Sequence, residues 1–496
     1  MRHTDCSPGV GRRVTTSASC EPPSRPPRRL LHRRIGGADC GINLEVMHEF
    51  DSATKALAES VLAQLRELVA LDPTPLNGTI PPSALSGLVR PMINASGNDP
   101  DAVLDFFTST LAPAVIRSDS PRFLAWIPSA PTKASMLFDA IVSLASVSGV
   151  SWIESAGAVW AENEALRFIA DLAGMPARAG GTFVQGGSAA NLSALAVARE
   201  AGRRRRGDPR RRLQFAVTDD THSSVRNTMR LLDVDPLLVP LVRDRLTGAA
   251  LAATLDACDD PDAVCAVVAN AGSTNAGLVD DLAGIAEICD DRKLWMHVDA
   301  AYGGGALVAP SARGAFAGIE RSDSLVVDPH KWLYAPLDCA ALLYRDPELA
   351  KSVHGQHASY LDTVNENTEG WNPGDYAYQL TRRARGLPFW FSVAVHGTDA
   401  YRDAVEQVLT TTRAAAARIK ALPHLELVLE PELSVVLFRR LGWDNAQYAA
   451  WSERLLREQV GLVVPTRWHG ETVARFAFLH PDTTLEIVDE ILATTA

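Results

Sequence analysis

The sequence has no run of roughly 20 consecutive apolar residues, so hydropathy offers no membrane-spanning helix. Its seven cysteines (Cys6, Cys20, Cys40, Cys258, Cys265, Cys289 and Cys339) form no C-x-x-C pair and no metal-ligand spacing. A scattered, odd-numbered set argues against a disulfide framework or a metal centre and fits a reducing, cytoplasmic setting. Excess positive charge is missing as well. Lys and Arg number 48 against 59 Asp and Glu, a net charge of −11, which argues against nucleic acid as the main partner. What remains is the composition of an ordinary globular protein, 47% hydrophobic and 22% charged. Its 496 residues suffice for two or three domains around a large core.

Residues 1–46 differ from the rest. They hold Arg12-Arg13, Arg28-Arg29, Arg33-Arg34, Pro22-Pro23 and Pro26-Pro27 with little to bury, and disorder is expected. They lack the amphipathic run or apolar h-region of a targeting segment. Met47 offers an alternative start, with residues 1–46 an upstream extension of the reading frame. From 50 to 70, Ala56, Leu57, Val61, Leu62, Leu65, Leu68 and Val69 recur at helical spacing, and Asp72-Pro73 ends the helix. A proline-rich connector and a second helix at 100–111 follow. Further helices are expected at 133–147 and 158–173. The loop Pro121-Arg122-Phe123-Leu124-Ala125-Trp126-Ile127-Pro128 is aromatic and bounded by prolines.

From about 181 to 343, strand and helix patterns alternate, as a mainly parallel sheet requires. The strand candidates are 182–184, 214–217, 238–241, 263–269, 294–298, 325–327 and 339–343. The arginine run Arg203 to Arg206, with Arg210 to Arg212, reads as a solvated loop between helix and strand. Past Tyr401 come a long helix, strands at 434–438 and 474–478, and a helix at 446–459. These make a smaller α+β unit.

Chemistry is concentrated in segments that follow strands. In Ser324-Leu325-Val326-Val327-Asp328-Pro329-His330-Lys331-Trp332-Leu333, Pro329 stops a buried strand and delivers Lys331 at its carboxyl edge. A partly buried lysine there is a nucleophile able to form a Schiff base with a carbonyl cofactor. Gly186-Gly187-Ser188-Ala189-Ala190-Asn191 joins a strand to a helix N-terminus, where free N–H groups and the helix dipole favour phosphate. Asp299, in His297-Val298-Asp299-Ala300-Ala301-Tyr302, ends another strand among small residues that let a flat ring approach. It precedes Lys331 by 32 residues, enough for one parallel crossover. His222, in Thr221-His222-Ser223-Ser224, also follows a strand, where an imidazole can stack on a ring and exchange protons. Taken singly, each has a bland reading: a surface lysine, a tight turn, a capping aspartate, a packed histidine. Together they are the parts that hold pyridoxal phosphate.

These motifs, in this order and spacing, resemble the group II pyridoxal-phosphate decarboxylases, which include the aromatic-L-amino-acid decarboxylases. The resemblance runs from about Glu49 to the C-terminus. It implies an α/β, fold-type I pyridoxal-phosphate enzyme with a mainly parallel seven-stranded sheet. The implied division is 1–46 as an extension, 47–131 as a helical dimerisation segment, 132–401 as the large cofactor-binding domain and 402–496 as a small α+β domain. It further implies that Lys331 holds the cofactor, pyridoxal 5′-phosphate, as a Schiff base, that Asp299 pairs with the ring nitrogen, and that His222 stacks on one ring face while Ala301 packs on the other. Gly187, Ser188 and His330 would lie near the phosphate, and Ser273 or Thr274 near the ring substituents. Trp126, Ile127 and Pro128 match the family's substrate segment and favour an aromatic or bulky apolar L-amino acid. Glu154 is the alternative contact, for a basic substrate. A cytoplasmic homodimer without metal, nucleic-acid or membrane partners is expected.

The sequence departs from the family at two places. Some members carry Asn where Asp328 stands. Eukaryotic aromatic decarboxylases also place a tyrosine on a mobile loop nine positions before an Arg-Arg pair, whereas counting back from Arg382-Arg383 lands on Pro373. A polar loop at 354–375 is expected to form a lid. Tyr376 is then the expected proton donor, with Tyr378 and His222 behind it. The alternatives to amine formation from an aromatic or bulky apolar amino acid are oxidative decarboxylation to an aldehyde, or decarboxylation of an acidic or diamino acid such as glutamate or diaminobutyrate. Aminotransfer on the same fold, or cofactor binding without catalysis, are further readings.

Overall fold

Short runs of valine, alanine and phenylalanine become strands in the computed structural model, which describes residues 48–207, 211–359 and 370–496. The chain divides into a short N-terminal unit ending at Ala56 and a large unit, Leu57–Ala496, that holds both sheets. In chain order the first sheet contains β1 (Gly180–Val184), β2 (Leu213–Val217), β3 (Val234–Leu238), β4 (Val264–Asn270), β5 (Trp295–Asp299), β6 (Ser324–Val327) and β7 (Ala340–Tyr344). Their spatial order is β1-β7-β6-β5-β4-β2-β3. Pairing is parallel from β6 through β5, β4 and β2 to β3, and β7 alone runs against its neighbours β1 and β6. Two antiparallel steps restore direction, so β1 points the same way as β6. The carboxyl ends of β1, β2, β4, β5 and β6 therefore share one edge.

The helices that cover this sheet follow from its two apolar faces. In chain order the helices up to this point are α1 (Ser52–Ala70), α2 (Pro82–Leu88), α3 (Pro100–Phe106), α4 (Lys133–Leu144), α5 (Trp152–Leu172), α6 (Gly187–Arg206), α7 (Ser223–Leu232), α8 (Gly248–Asp256), α9 (Leu282–Arg292), α10 (Pro329–Trp332) and α11 (Pro347–His354), of which α5, α6, α7, α9, α10 and α11 touch the sheet directly. Alternate strand residues serve opposite sides. Phe215, Val217, Ala266 and Val268 pack with Leu195, Val225 and Met229 of α6 and α7. Val264, Val267, Met296 and Val298 pack with Ile169, Leu251 and Ile285 of α5, α8 and α9. Every residue of β4 is buried, as expected of an interior parallel strand.

Beyond α12 (Leu387–Ala421), a second, antiparallel sheet has the order β10-β11-β9-β8, from β8 (Leu425–Leu427), β9 (Val435–Arg440), β10 (Thr466–Trp468) and β11 (Glu471–Ala477). It is accompanied by α13 (Asn445–Arg457) and α14 (Leu485–Ala493). Tyr302, just past β5, ties the two sheets together. Its hydroxyl lies 2.5 Å from Ser434 Oγ and accepts the Ser434 N–H at 2.9 Å, immediately before β9. Its ring stacks on Trp332 with centroids 5.5 Å apart.

The structure corrects the sequence-based expectations in places. The third strand is Val234–Leu238, not 238–241. Pro236 weakens the strand signal there and is tolerated because β3 lies at the sheet edge. Arg203 to Arg206 are not loop. They form the last turn of α6, where cations complement the C-terminal dipole. The helix expected at 100–111 is α-helical only to Phe106 and then widens into a π-turn at Phe107–Leu111. The connector after α1 contains the short helix α2, started by prolines at its first turn. Residues 1–46 and the centre of the expected lid, at 360–369, lie outside the described residues.

The Tyr302 tie makes a stability prediction. Tyr302→Phe leaves the buried Ser434 N–H and hydroxyl without their partner and should cost about 1–3 kcal/mol. Denaturant unfolding should show a lower midpoint with an unchanged slope. An unchanged midpoint would mean that the two sheets are held by apolar packing alone.

Candidate active site

The loops at the shared carboxyl edge enclose a cavity of about 510 Å³. Open α/β sheets hold ligands at this edge because the loops there are free of strand pairing. Pro329, at the first helical position, starts α10 directly after β6, and this single turn carries Lys331 into the wall. Lys331 Nζ lies 2.9 Å from Asp328 Oδ2. Asp328 is only 2% exposed. Its Oδ2 also accepts the Gly187 N–H at 3.3 Å, while its Oδ1 has no partner among the described residues. A buried carboxylate held beside an amine is a strong local constraint, since removing either charge strands the other.

Gly186 and Gly187 shape the floor. Gly186 has φ 145°, ψ 165°, a conformation open essentially to glycine alone. A Cβ added at Gly187 would sit 3.0 Å from Asp328 Oδ2 and 3.2 Å from the Ala301 methyl. Glycine at 187 therefore lets Asp328 and Ala301 pack closely against this turn. The 20-residue helix α6 begins here, and its N-terminal N–H groups and dipole favour an anion.

Asp299 ends β5 and is 8% exposed. Its Oδ2 accepts from Asn191 Nδ2 at 2.9 Å and its Oδ1 from the Ala301 N–H at 3.1 Å. His222 caps α7, with Nδ1 accepting the Ser224 N–H at 3.3 Å and lying 2.8 Å from Ser224 Oγ. Ala301, Ser188, Ser273, Thr274 and His330 complete the walls. His330 donates from Nδ1 to the Cys339 carbonyl at 2.6 Å, which leaves Nε2 toward Asp328, 3.8 Å from its Oδ2. Thus Lys331, Asp299, His222, Gly187, Ser188, Ala301, Thr274 and His330, expected from widely separated segments, line one cavity. Their arrangement suits a planar, cationic ring with an anionic arm: a carboxylate at one end, small residues and an imidazole beside it, a helix N-terminus at the other end, and an amine within reach. Pyridoxal phosphate has those features, and the unpartnered Asp328 Oδ1 in the wall offers a further acceptor beside it.

Other expected residues lie elsewhere. Tyr376 is buried and stacks on Trp371, with centroids 4.1 Å apart. Burial pushes its phenol up, and it is not part of the cavity wall. The wall contains Tyr378 instead, whose Oη accepts from Gln185 Nε2 at 2.8 Å. The short 3₁₀ turn Pro373–Tyr376 turns Tyr376 into the protein, and Tyr378 follows in a bend after the extended Ala377. Trp126, Ile127 and Pro128 are also outside the wall, with Trp126 57% exposed. The Trp126 carbonyl is nevertheless tied to the wall by Arg475, which donates to it at 2.6 Å and also to the Thr274 carbonyl. Glu154 accepts from the Ser148 and Ser151 hydroxyls at the start of α5 and does not reach the cavity.

The sequence reading assigned no role to Asn191, Asp220 or Gln185, all of which line the cavity. Burial pushes the Asp220 carboxyl above its ordinary range, opposed by a hydrogen bond from Ser273. Asp280 lies behind this wall, pushed up to about 7 by burial, and accepts the backbone N–H of Asn270 at 2.6 Å and of Leu246 at 2.8 Å. Proximity to the glycine turn was the available signal for Asn191 and Gln185. Asp220 sits beside His222 in the same loop.

Comparison with known proteins gives this geometry its context. Residues 82–441 match the pyridoxal-dependent decarboxylase conserved domain. The chain is 30% identical to the aromatic-L-amino-acid decarboxylase of Bacillus atrophaeus over 432 residues, covering 84% of this chain and 89% of that protein. It is also 30% identical to the L-2,4-diaminobutyrate decarboxylase of Rhizobium meliloti over 369 residues, covering 71% and 73%. The crystal structure of Oryza sativa TDC with PLP and tryptamine superposes with a TM-score of 0.82 at 24% identity, covering 90% of this chain and 99% of that one. That similarity establishes the shared fold.

The pH dependence of stability tests one part of the site. His297, fully buried on β5, is pushed down to about 4 by burial, against the Asp299 charge. Unfolded, it binds a proton near its ordinary value of about 6.5. The folded protein excludes that proton, so its contribution is present above about 6.5 and lost as pH falls toward 4. Glu162 and Asp280, both raised to about 7 by burial, act in the opposite sense and mask this in the wild type. The stability gap between wild type and His297→Gln should therefore narrow as pH falls from about 6.5 to about 4. A constant gap in denaturation midpoints would contradict the assignment.

Proposed function

Because the chain belongs to the pyridoxal-dependent decarboxylase family, we propose that it converts an aromatic or bulky apolar L-amino acid to the amine and carbon dioxide. It is a pyridoxal-phosphate-dependent amino-acid decarboxylase; the identity of the amino acid is the proposed part. The observation that carries the reading is the convergence of Lys331, Asp299 and His222 on one cavity. Leu192, Leu231, Leu337, Tyr302 and Tyr378 give that cavity apolar surface. No arginine lines it among the described residues, so a side-chain carboxylate would lack its usual fork-shaped partner.

Pyridoxal phosphate, when bound, supplies the electron sink for the electron pair left at Cα as carbon dioxide departs. Lys331 is the amine that would hold it. Asp299 would face the ring nitrogen, where an adjacent negative charge favours the protonated form. His222 and Ala301 would flank the ring, Gly187, Ser188 and His330 would bracket the phosphate, and Thr274 would meet the ring substituents. The buried Asp328 keeps the Lys331 amine close while Lys331 is unattached. The protein's contribution is orientation and exclusion of water.

Tyr378 takes the place expected of Tyr376 as the group that delivers a proton to Cα. Its Oη accepts from Gln185, which leaves the phenol hydrogen free to be given. A second substrate reading has one observation in its favour. The half-buried Asp220 carboxyl in the wall would be relieved by a cationic side chain, as in a diamino acid. A homodimer belongs to the proposal too, because α1 buries none of its residues in this chain and exposes Val61, Leu62 and Leu68. A second copy of the chain is the occupant that would cover them. A cytoplasmic setting accords with the free thiols of Cys258, Cys265, Cys289 and Cys339. No helix among the described residues is long and apolar enough to cross a membrane.

Lys331→Ala should abolish both the visible absorbance of bound cofactor and turnover; full activity would refute the whole assignment. A screen of amine, aldehyde and peroxide products over aromatic, acidic and diamino acids should find amine from an aromatic substrate. Aldehyde with peroxide as the main product would replace decarboxylation by its oxidative variant. Tyr378→Phe should lower amine formation by about a hundredfold with cofactor binding retained. Tyr376→Phe should leave amine formation near wild type, and the reverse pattern would restore Tyr376 as donor. Light scattering should give twice the chain mass, and an active monomer would refute the dimer.

A further inference from the structure

We infer that Asn191 is a positioning residue, through which a one-way hydrogen-bond chain fixes both the Asp299 carboxylate and the tautomer of His222. The inference rests on the proposed reading in which Asp299 and His222 face the cofactor, but its geometry is independent of any ligand.

The chain begins at a group that can only donate. Trp295 Nε1–H donates to Ser324 Oγ at 2.8 Å. Ser324 Oγ also lies 2.8 Å from His297 Nδ1, and no other acceptor for its hydrogen is found among the described residues. The hydroxyl therefore donates to Nδ1. Burial keeps His297 neutral, so its single ring proton is on Nε2, 2.9 Å from Asn191 Oδ1. The Asn191 amide is thereby oriented, with its Nδ2 donating to Asp299 Oδ2 at 2.9 Å and to Ser224 Oγ at 3.0 Å.

The far end gives the same answer independently. A carboxylate only accepts, so Asp299 requires the donor end of the amide. Flipping Asn191 would set its carbonyl oxygen against Asp299 and its NH₂ against the His297 Nε2–H, losing both bonds at once. Both termini therefore impose one direction.

The consequence reaches the pocket through Ser224. Having accepted from Asn191, its hydroxyl donates to His222 Nδ1 at 2.8 Å, and its backbone N–H points at the same nitrogen at 3.3 Å. His222 Nδ1 thus faces two donors and cannot carry a proton without displacing them. The proton sits on Nε2, which is the only polar atom the ring has left to offer a bound molecule. Asn191 is 1% exposed and His297 fully buried, so water cannot replace either partner cheaply. One amide therefore orients the group beneath the ring nitrogen and the group that lies along the ring face.

The test uses cofactor-loaded protein labelled with ¹⁵N in its imidazoles, with His222→Gln to assign the signal. In the wild type, long-range ¹H–¹⁵N spectra should show His222 protonated at Nε2 and bare at Nδ1. Asn191→Leu should produce two changes together: a mixed His222 tautomer, and cofactor affinity weakened roughly tenfold or more, as for a lost bond to a charged group. Ser224→Ala should disturb the tautomer alone, and Ser224→Thr, which keeps the hydroxyl, should restore it. Should Asn191→Leu not fold, Asn191→Asp is nearly isosteric and must give the same two changes. An Nδ1-protonated His222 in the wild type overturns the inference. So do wild-type tautomer and affinity in the Asn191 variant that folds. Correct tautomers in a wild-type protein that binds no pyridoxal phosphate would sink the functional reading and leave the chain of bonds intact.

Discussion

Asp299 places a carboxylate at the end of an interior strand where water hardly reaches, and a buried charge without partners is strongly destabilising. The fold meets that constraint from several directions. The Ala301 N–H and the Asn191 amide take up its two oxygens, and in the proposed reading the cationic ring nitrogen of the cofactor would be its counter-charge. Asn191 reaches Asp299 only because α6 starts at the glycine turn after β1 and crosses the sheet. β1 in turn points the right way only because β7 reverses direction between β1 and β6. The strand order and the electrostatics of the site are thus one problem with one solution.

Lys331 is handled in the same manner. Asp328 is 2% exposed and engages both the Lys331 amine and the Gly187 N–H, joining the β6 and β1 loops across the floor of the cavity. Its orphaned Oδ1 shows that this network has capacity for a further donor. Two further buried acids, Glu162 at Gly386 and Asp280 behind the Asn270 wall, are raised by burial and accept backbone N–H groups. They hold loops in place and stay out of the cavity.

Much of this was legible in the sequence, because the relevant signals are local. Apolar runs separated by helical spacing gave away the alternating strands, and each functional motif follows its strand within a few residues. Lys331, Asp299 and His222 could be named for that reason. What local pattern could not supply was direction in irregular chain. Tyr376 and Tyr378 are two residues apart, and only the turn at Pro373–Tyr376 decides which one meets the cavity. Pro236 hid β3, since its cost depends on a position at the sheet edge that the sequence does not mark. Asn191 was seen as part of a glycine turn but not as a hub, because its partners His297 and Asp299 lie more than a hundred residues away.

The central claim is that the β6 loop brings one particular amine to the cofactor. Borohydride reduction of the purified protein with its cofactor, followed by peptide mapping, measures this directly. The account predicts a pyridoxyl group on the peptide containing Lys331 and on no other lysine. A label on Lys133, Lys293 or Lys351, or no covalent label in a protein that still turns over substrate, would contradict it.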